Sequence, residues 1–175
     1  MAQAVAFHTD VERDLAIAYE KRGNVHRLMG NRPNAEASYR GALGRFERLF
    51  DADPSNAGAV RSLAISEEKL ALMLADGGAP FDEALRLLQG ARGRHGALMS
   101  RDASNAQAQC DAARVSELVG DIRRRDRRSG RAACAPWRDS LHLHRGLEVT
   151  APGACASAEA IRRVTAKVGA AASPC

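Results

Sequence analysis

The densest charge in the sequence is the run Arg123-Arg124-Arg125-Asp126-Arg127-Arg128, with Arg131 close behind. Guanidinium groups present forked N–H donors that match carboxylate and phosphate oxygens, so such a run can hold an acidic protein or an anionic polymer. No aromatic residue interleaves with these arginines, so bases would find no stacking platform, and nucleic acid is the less favoured ligand. Short charged runs are also commonly just solvated loops. His142, His144 and Cys134 have the side-chain types of metal or acid–base chemistry, but residues two apart on a helix point to different sides. Cys110, Cys134, Cys155 and Cys175 lie 24, 21 and 20 residues apart, with no C-x-x-C and no Cys/His pair at the spacing needed for chelation from one loop. They are expected to be free, partly buried thiols of a reducing compartment. No Gly-rich phosphate loop, G-x-S-x-G, H-E-x-x-H or Cys/His/Asn constellation occurs. The sequence therefore points to a non-enzymatic role with no metal and no cofactor.

The chain that must position these residues has 175 of them, enough for one domain with a real core. Ala and Arg dominate and aromatic content is 4%, which favours helix and starves strands of their usual residues. Lys and Arg number 26 against 21 Asp and Glu, so the net charge, 26 − 21 = +5, is modest. Arg, Asp or Glu interrupts every apolar stretch before it reaches 18 residues, which excludes a spanning helix. The first residues, MAQAVAFHTD, lack the basic start of a secretion signal, so a cytoplasmic location is expected.

The chain repeats itself. DADPSNAGA at 51–59 returns as SRDASNAQA at 100–108, so Asp53, Ser55, Asn56 and Ala57 recur 49 residues later as Asp102, Ser104, Asn105 and Ala106. A further shift of 49 brings Pro152 onto Pro54. Between these markers the apolar positions follow helical periodicity. Ala35, Tyr39, Ala42, Phe46 and Leu49 step by 4, 3, 4 and 3. Their copies are Ala84, Leu88, Ala91, His95 and Leu98, then Ala133, Trp137, Ser140, His144 and Leu147. His95, His144 and Trp137 are thus core or boundary positions. A preceding helix recurs from Leu15, Leu63 and Ala112, and the small residues Gly23, Ala71 and Gly120 share one position at which a paired helix can approach closely.

These signals predict helices near 10–29, 33–51, 56–76, 81–100, 105–126 and 131–149, with Ser and Asn of the 54–56 and 103–105 turns as caps. Pro136 is expected to kink or restart the sixth helix. A shorter helix at 156–169 carries Ala160, Ile161, Val164 and Val168 on one face and charge on another, as a terminal cap should. Residues 2–7 read either as the tail of another helix or as a segment lying on the open end.

The pattern resembles the tetratricopeptide repeat. The matching residues are Tyr19, Gly23, Gly30, Ala35, Tyr39, Ala42 and Pro54 in the first repeat; Leu70, Ala84 and Ala91 in the second; and Val119, Gly120, Ala133, Trp137 and Pro152 in the third. The period here is 48–49 residues rather than about 34, similar to the long repeats of bacterial signalling proteins. The resemblance implies an all-α, right-handed superhelix of three antiparallel helix pairs (about 10–54, 55–103 and 104–152) plus the capping helix, forming one domain over 1–175.

It also implies a concave groove that holds a peptide or helix of a partner, making the chain a protein-interaction scaffold or regulatory module. Position by position, that groove comprises Ile17, Glu20, Lys21, Asn24 and Arg27; then Ile65, Glu68, Lys69 and Leu72; then Arg114, Glu117, Asp121 and Arg124. Glu20, Glu68 and Glu117 form a row expected to meet basic groups on a ligand. A chaperone-type carboxylate clamp is disfavoured, because its first Lys position holds Glu20. Two further expectations stand beside the groove: an acidic protein or nucleic acid on the arginine run, and self-association through the uncovered first helix pair.

Overall fold

The computed structural model describes residues 2–78, 80–126 and 130–170. Among them the chain is helical, without a strand: α1 (Ala2–Leu28), α2 (Arg32–Ala52), α3 (Ala57–Asp76), α4 (Asp82–Arg101), α5 (Ala106–Arg125), α6 (Cys134–Thr150) and α7 (Ser157–Gly169). Short 3₁₀ turns at Gly130–Ala133 and Ala154–Ala156 lead into α6 and α7. Consecutive helices pack together, α1 on α2, α2 on α3, α5 on α6 and α6 on α7, an arrangement compatible with a helical repeat. The chain divides into two compact units, Met1–Leu87 and Leu88–Cys175, with the boundary inside α4.

In the first unit the periodic stripe of α2 is buried throughout: Ala35, Tyr39, Ala42, Phe46 and Leu49. Phe46 and Leu49 close a core with Ala16 of α1 and Leu63 of α3. The small residue at the repeated position does what its size allows. A Cβ on Gly23 would lie 2.9 Å from the Tyr39 ring, so glycine is what lets α1 and α2 approach. In the second unit, Ala133 and Trp137 pack against Val164 of α7, with Leu141 and Val168 at the margin. A Cβ on Gly120 would collide with the indole of Trp137.

The turns between repeats are near-identical. Asp53 Oδ1 accepts from Ser55 N and Oγ at 3.0 and 2.6 Å, and Asp102 Oδ1 from Ser104 N and Oγ at 2.9 and 2.6 Å. Asn56 and Asn105 then cap α3 and α5 by accepting from Ala59 N and Ala108 N, the orphan amides of a helix start.

Two boundaries differ from the sequence reading. α1 is one continuous helix from Ala2, so residues 2–7 extend it rather than forming a separate segment. The sixth helix becomes α-helical only at Cys134, after a 3₁₀ turn. Pro136 falls in its first turn, where a missing N–H costs no intrahelical bond, and it therefore starts the helix without kinking it.

Candidate functional site

On α1 of the first unit, Ile17, Lys21 and Asn24 are exposed, and on α3 Leu72 is exposed with Ile65 and Lys69 half-buried. Ile17 and Leu72 each keep 38% of their surface in solvent, large apolar side chains left uncovered. Lys69 of α3 donates to the carboxylate of Glu20 on α1, tying the two helices side by side. Asn24 is already engaged, since Tyr39 Oη donates to its Oδ1 at 2.7 Å. Arg27 lies exposed in the last turn of α1.

In the second unit Glu117 and Asp121 of α5 are bonded by α7, while Arg114 and Arg124 are exposed. Arg163 donates to both oxygens of Glu117 at 2.8 Å, and Lys167 donates to Glu117 Oε1 at 2.8 Å and to Asp121 at 2.6–2.8 Å. Trp137 Nε1 also donates to Asp121 Oδ1, at 3.1 Å. Burial would raise the Glu117 pKa, but the hydrogen bonds from Arg163 and Lys167 outweigh it and hold the carboxyl at about 2. Arg114 pairs with the buried Asp111 at 3.4 Å on its own helix.

The row of carboxylates therefore differs from its expected role. Glu20, Glu68 and Glu117 are 9%, 1% and 6% exposed, so none is offered to a ligand. Glu20 and Glu117 neutralise cations of the chain itself. The physical reason is geometric: within each unit this position faces a neighbouring helix, α3 beside Glu20 and α7 beside Glu117, and a charge buried there requires a partner. In the first unit, what remains open on this face besides Asn24 is apolar and cationic: Ile17, Leu72, Lys21 and Arg27.

The arginine run is partly drawn into the fold. Arg123 donates to the carbonyl of Ala132 at 3.1 Å, and the Arg124 guanidinium stands 5.9 Å from the Trp137 ring centroid. Arg125 is exposed. Arg127, Arg128 and the side chain of Arg131 lie outside the described residues. Sequence reasoning passed over a second cationic cluster, in which Arg22 and Arg45 stand 4.4 and 4.6 Å from the ring centroid of Tyr19.

His144 is buried with Trp137 and Leu147 on the α6 stripe, and burial, which disfavours the charged ring, lowers its pKa. His95 is buried at the matching position of α4, and His142 is exposed. Among the described residues, no group of three His, Cys, Asp or Glu side chains is placed to hold a metal ion.

The cysteines correct the expectation of free thiols. Cys110 at the start of α5 and Cys155 before α7 form a disulfide, with Cα atoms 5.8 Å apart, and Cys134 is disulfide-bonded as well. Spacing could exclude a chelating loop, but it could not show that α6 brings residues 45 apart in sequence together. The even number of cysteines was the available signal.

No helix among the described residues is long and apolar enough to cross a membrane. Compared with known proteins, the chain matches no protein-family model and no curated protein.

Proposed function

We propose that the chain is a helical-repeat domain of tetratricopeptide type with elongated repeats, three antiparallel helix pairs in a right-handed superhelix closed by α7. In this reading it is a non-catalytic interaction module that binds a peptide or helix of another protein. The observation that carries the reading is the exposure of Ile17 and Leu72 on neighbouring helices that Lys69 and Glu20 hold together. Apolar anchors beside Lys21 and Arg27 suit a segment with large apolar and acidic side chains, since a few buried anchors supply most of the affinity at such surfaces. The Cys110–Cys155 bond favours a compartment in which thiols are oxidised, rather than the cytoplasm expected from the sequence.

Selection of a displayed random-peptide library on the 175-residue chain tests this. Peptides with spaced apolar and acidic residues are expected. Their binding should fall at least about 10-fold with Ile17→Asp plus Leu72→Asp, about 1.4 kcal/mol or more, while Arg123→Ala plus Arg125→Ala leaves it unchanged. Failure to select any peptide, or binders indifferent to the Ile17 and Leu72 changes, would remove the groove. Binders lost with the arginines and steeply weakened by salt would place the function on the basic run instead.

A further inference from the structure

The two ends of the Cys110–Cys155 disulfide differ in access. Cys110 of α5 is buried at 8% exposure, whereas Cys155, in the turn ahead of α7, is exposed. An incoming thiol therefore meets the bond from the Cys155 side. Cys155 and Ala156 also hold φ values of 45° and 51°, and costly backbone conformations of this kind gather where chemistry or binding holds them in place.

A histidine stands against the exposed half of the bond. His144 Nδ1 lies 3.9 Å from Cys155 Sγ, within reach of a sulfur hydrogen bond. The other ring nitrogen, Nε2, is buried and has no hydrogen-bond partner among the described residues. The ring is thus engaged only at the nitrogen that faces the sulfur. Glu117 of α5 and Arg163 of α7 act on it with opposite charges, and burial favours its neutral form. A neutral imidazole beside a thiol can take the thiol proton and leave a nucleophilic thiolate.

We propose that Cys155, Cys110 and His144 form a thiol–disulfide exchange centre for small-molecule thiols, with Cys155 as the sulfur that carries the mixed disulfide. A thiolate attacks Cys155 Sγ, the bond to Cys110 breaks, and its electron pair leaves on Cys110, which takes a proton from solvent. A second thiolate attacks the sulfur of the bound small molecule and releases it as a disulfide, with Cys155 leaving as a thiolate that is protonated through His144. Two small thiols are oxidised and the protein disulfide is reduced to two thiols. In reverse, His144 Nδ1 accepts the Cys155 proton and the thiolate attacks the small disulfide. Val164 against Trp137, with Arg163 and Lys167 on Glu117, keeps α7 seated meanwhile, so the two sulfurs stay close enough to reclose.

Glutathione added to the folded, oxidised chain, then acid quench, alkylation and peptide mass mapping, tests this. The tripeptide should be found on Cys155 and the alkyl label on Cys110. In Cys110→Ser, which leaves Cys155 as a thiol, the rate of its alkylation by iodoacetamide should rise with pH about a midpoint one unit or more below the ordinary value of about 8.5. Adding His144→Phe should return that midpoint to about 8.5 with helical circular dichroism unaltered. The adduct position is read on the unsubstituted chain, so it decides independently of how the variants fold. A Cys110–Cys155 bond that exchanges only in denaturant, or a tripeptide found on Cys110, overturns the proposal. A midpoint that His144→Phe leaves in place removes His144 from the centre.

Discussion

Lys167 of α7 donates to Glu117 of α5 at 2.8 Å, 50 residues back in the chain, and Lys69 of α3 makes the same bond to Glu20 of α1, 49 residues back. Lys167 lies two periods of 49 beyond Lys69, so α7 reuses the cation of a first-of-pair helix to cover α5. Glu117 has a second partner in Arg163, and the two cations back each other up. Lys167→Met alone should therefore cost about 1 kcal/mol. Lys167→Met with Arg163→Met, which leaves a buried carboxylate without a cation, should cost about 3 kcal/mol or more. Urea titrations followed by the fluorescence of Trp137 measure both. Costs that simply add would show that the two cations do not share one carboxylate.

Acid should loosen the second unit in two stages. Burial lowers the pKa of His144, so the unfolded chain takes up a proton there first, and stability falls as pH drops below about 6.5. Glu117, held at about 2 when folded against an ordinary value of 4.5, contributes stability that is complete above about 4.5 and is lost as pH falls toward 2. That second loss amounts to up to about 3 kcal/mol. His144→Phe, which installs the residue found at the matching position Phe46, should flatten the stability profile between pH 7 and 5 and leave the lower stage in place. A profile unchanged by that substitution would show that His144 is not the titrating group.

Much of this architecture was legible as a sequence, because its signals are local. The Asp-x-Ser-Asn turns set the period, and the steps of 4 and 3 set the buried stripes, so each stripe residue of α2 and α6 is buried as its spacing requires. The close approaches at Gly23 and Gly120 were likewise readable from residue size. What spacing could not convey was which side of a first-of-pair helix faces its neighbour. Glu20, Glu68 and Glu117 looked like a surface row, but a carboxylate buried beside a lysine from the next repeat has the same spacing as one in solvent. Asn24 and Asp121, also assigned to the groove, instead accept from Tyr39 and Trp137 of the paired helices. The disulfide depended on tertiary proximity that no periodicity encodes.

Gly120 should tolerate substitution less well than Gly23. An added methyl at Gly120 meets the buried indole of Trp137, which has no room to retreat from Ala133 and Val164, while the Tyr39 ring at 2.9 Å from a Gly23 methyl needs a smaller shift. Gly120→Ala is expected to cost about 2–3 kcal/mol despite its better helix propensity, and Gly23→Ala about 1 kcal/mol. Thermal melts of the two variants compare them directly. A stabilised Gly120→Ala would show that propensity outweighs the clash and that α5 and α6 are less closely packed than the geometry requires.

Closing a 45-residue separation with Cys110–Cys155 restricts the unfolded second unit and anchors the chain just ahead of α7. Cys155, the anchor itself, and Ala156 after it hold positive φ values of 45° and 51°, a conformation unfavourable for residues with a side chain. With the bond broken, Val164 and Val168 still pack α7 against α6, and Arg163 and Lys167 still bond it to Glu117 of α5. Cys110→Ser with Cys155→Ser should lower stability by about 2–4 kcal/mol. Amide exchange should quicken first in α7 and at the end of α6, with α1 to α3 unaffected. Uniform quickening across both units would mean that the bond stabilises the chain as a whole rather than securing its cap.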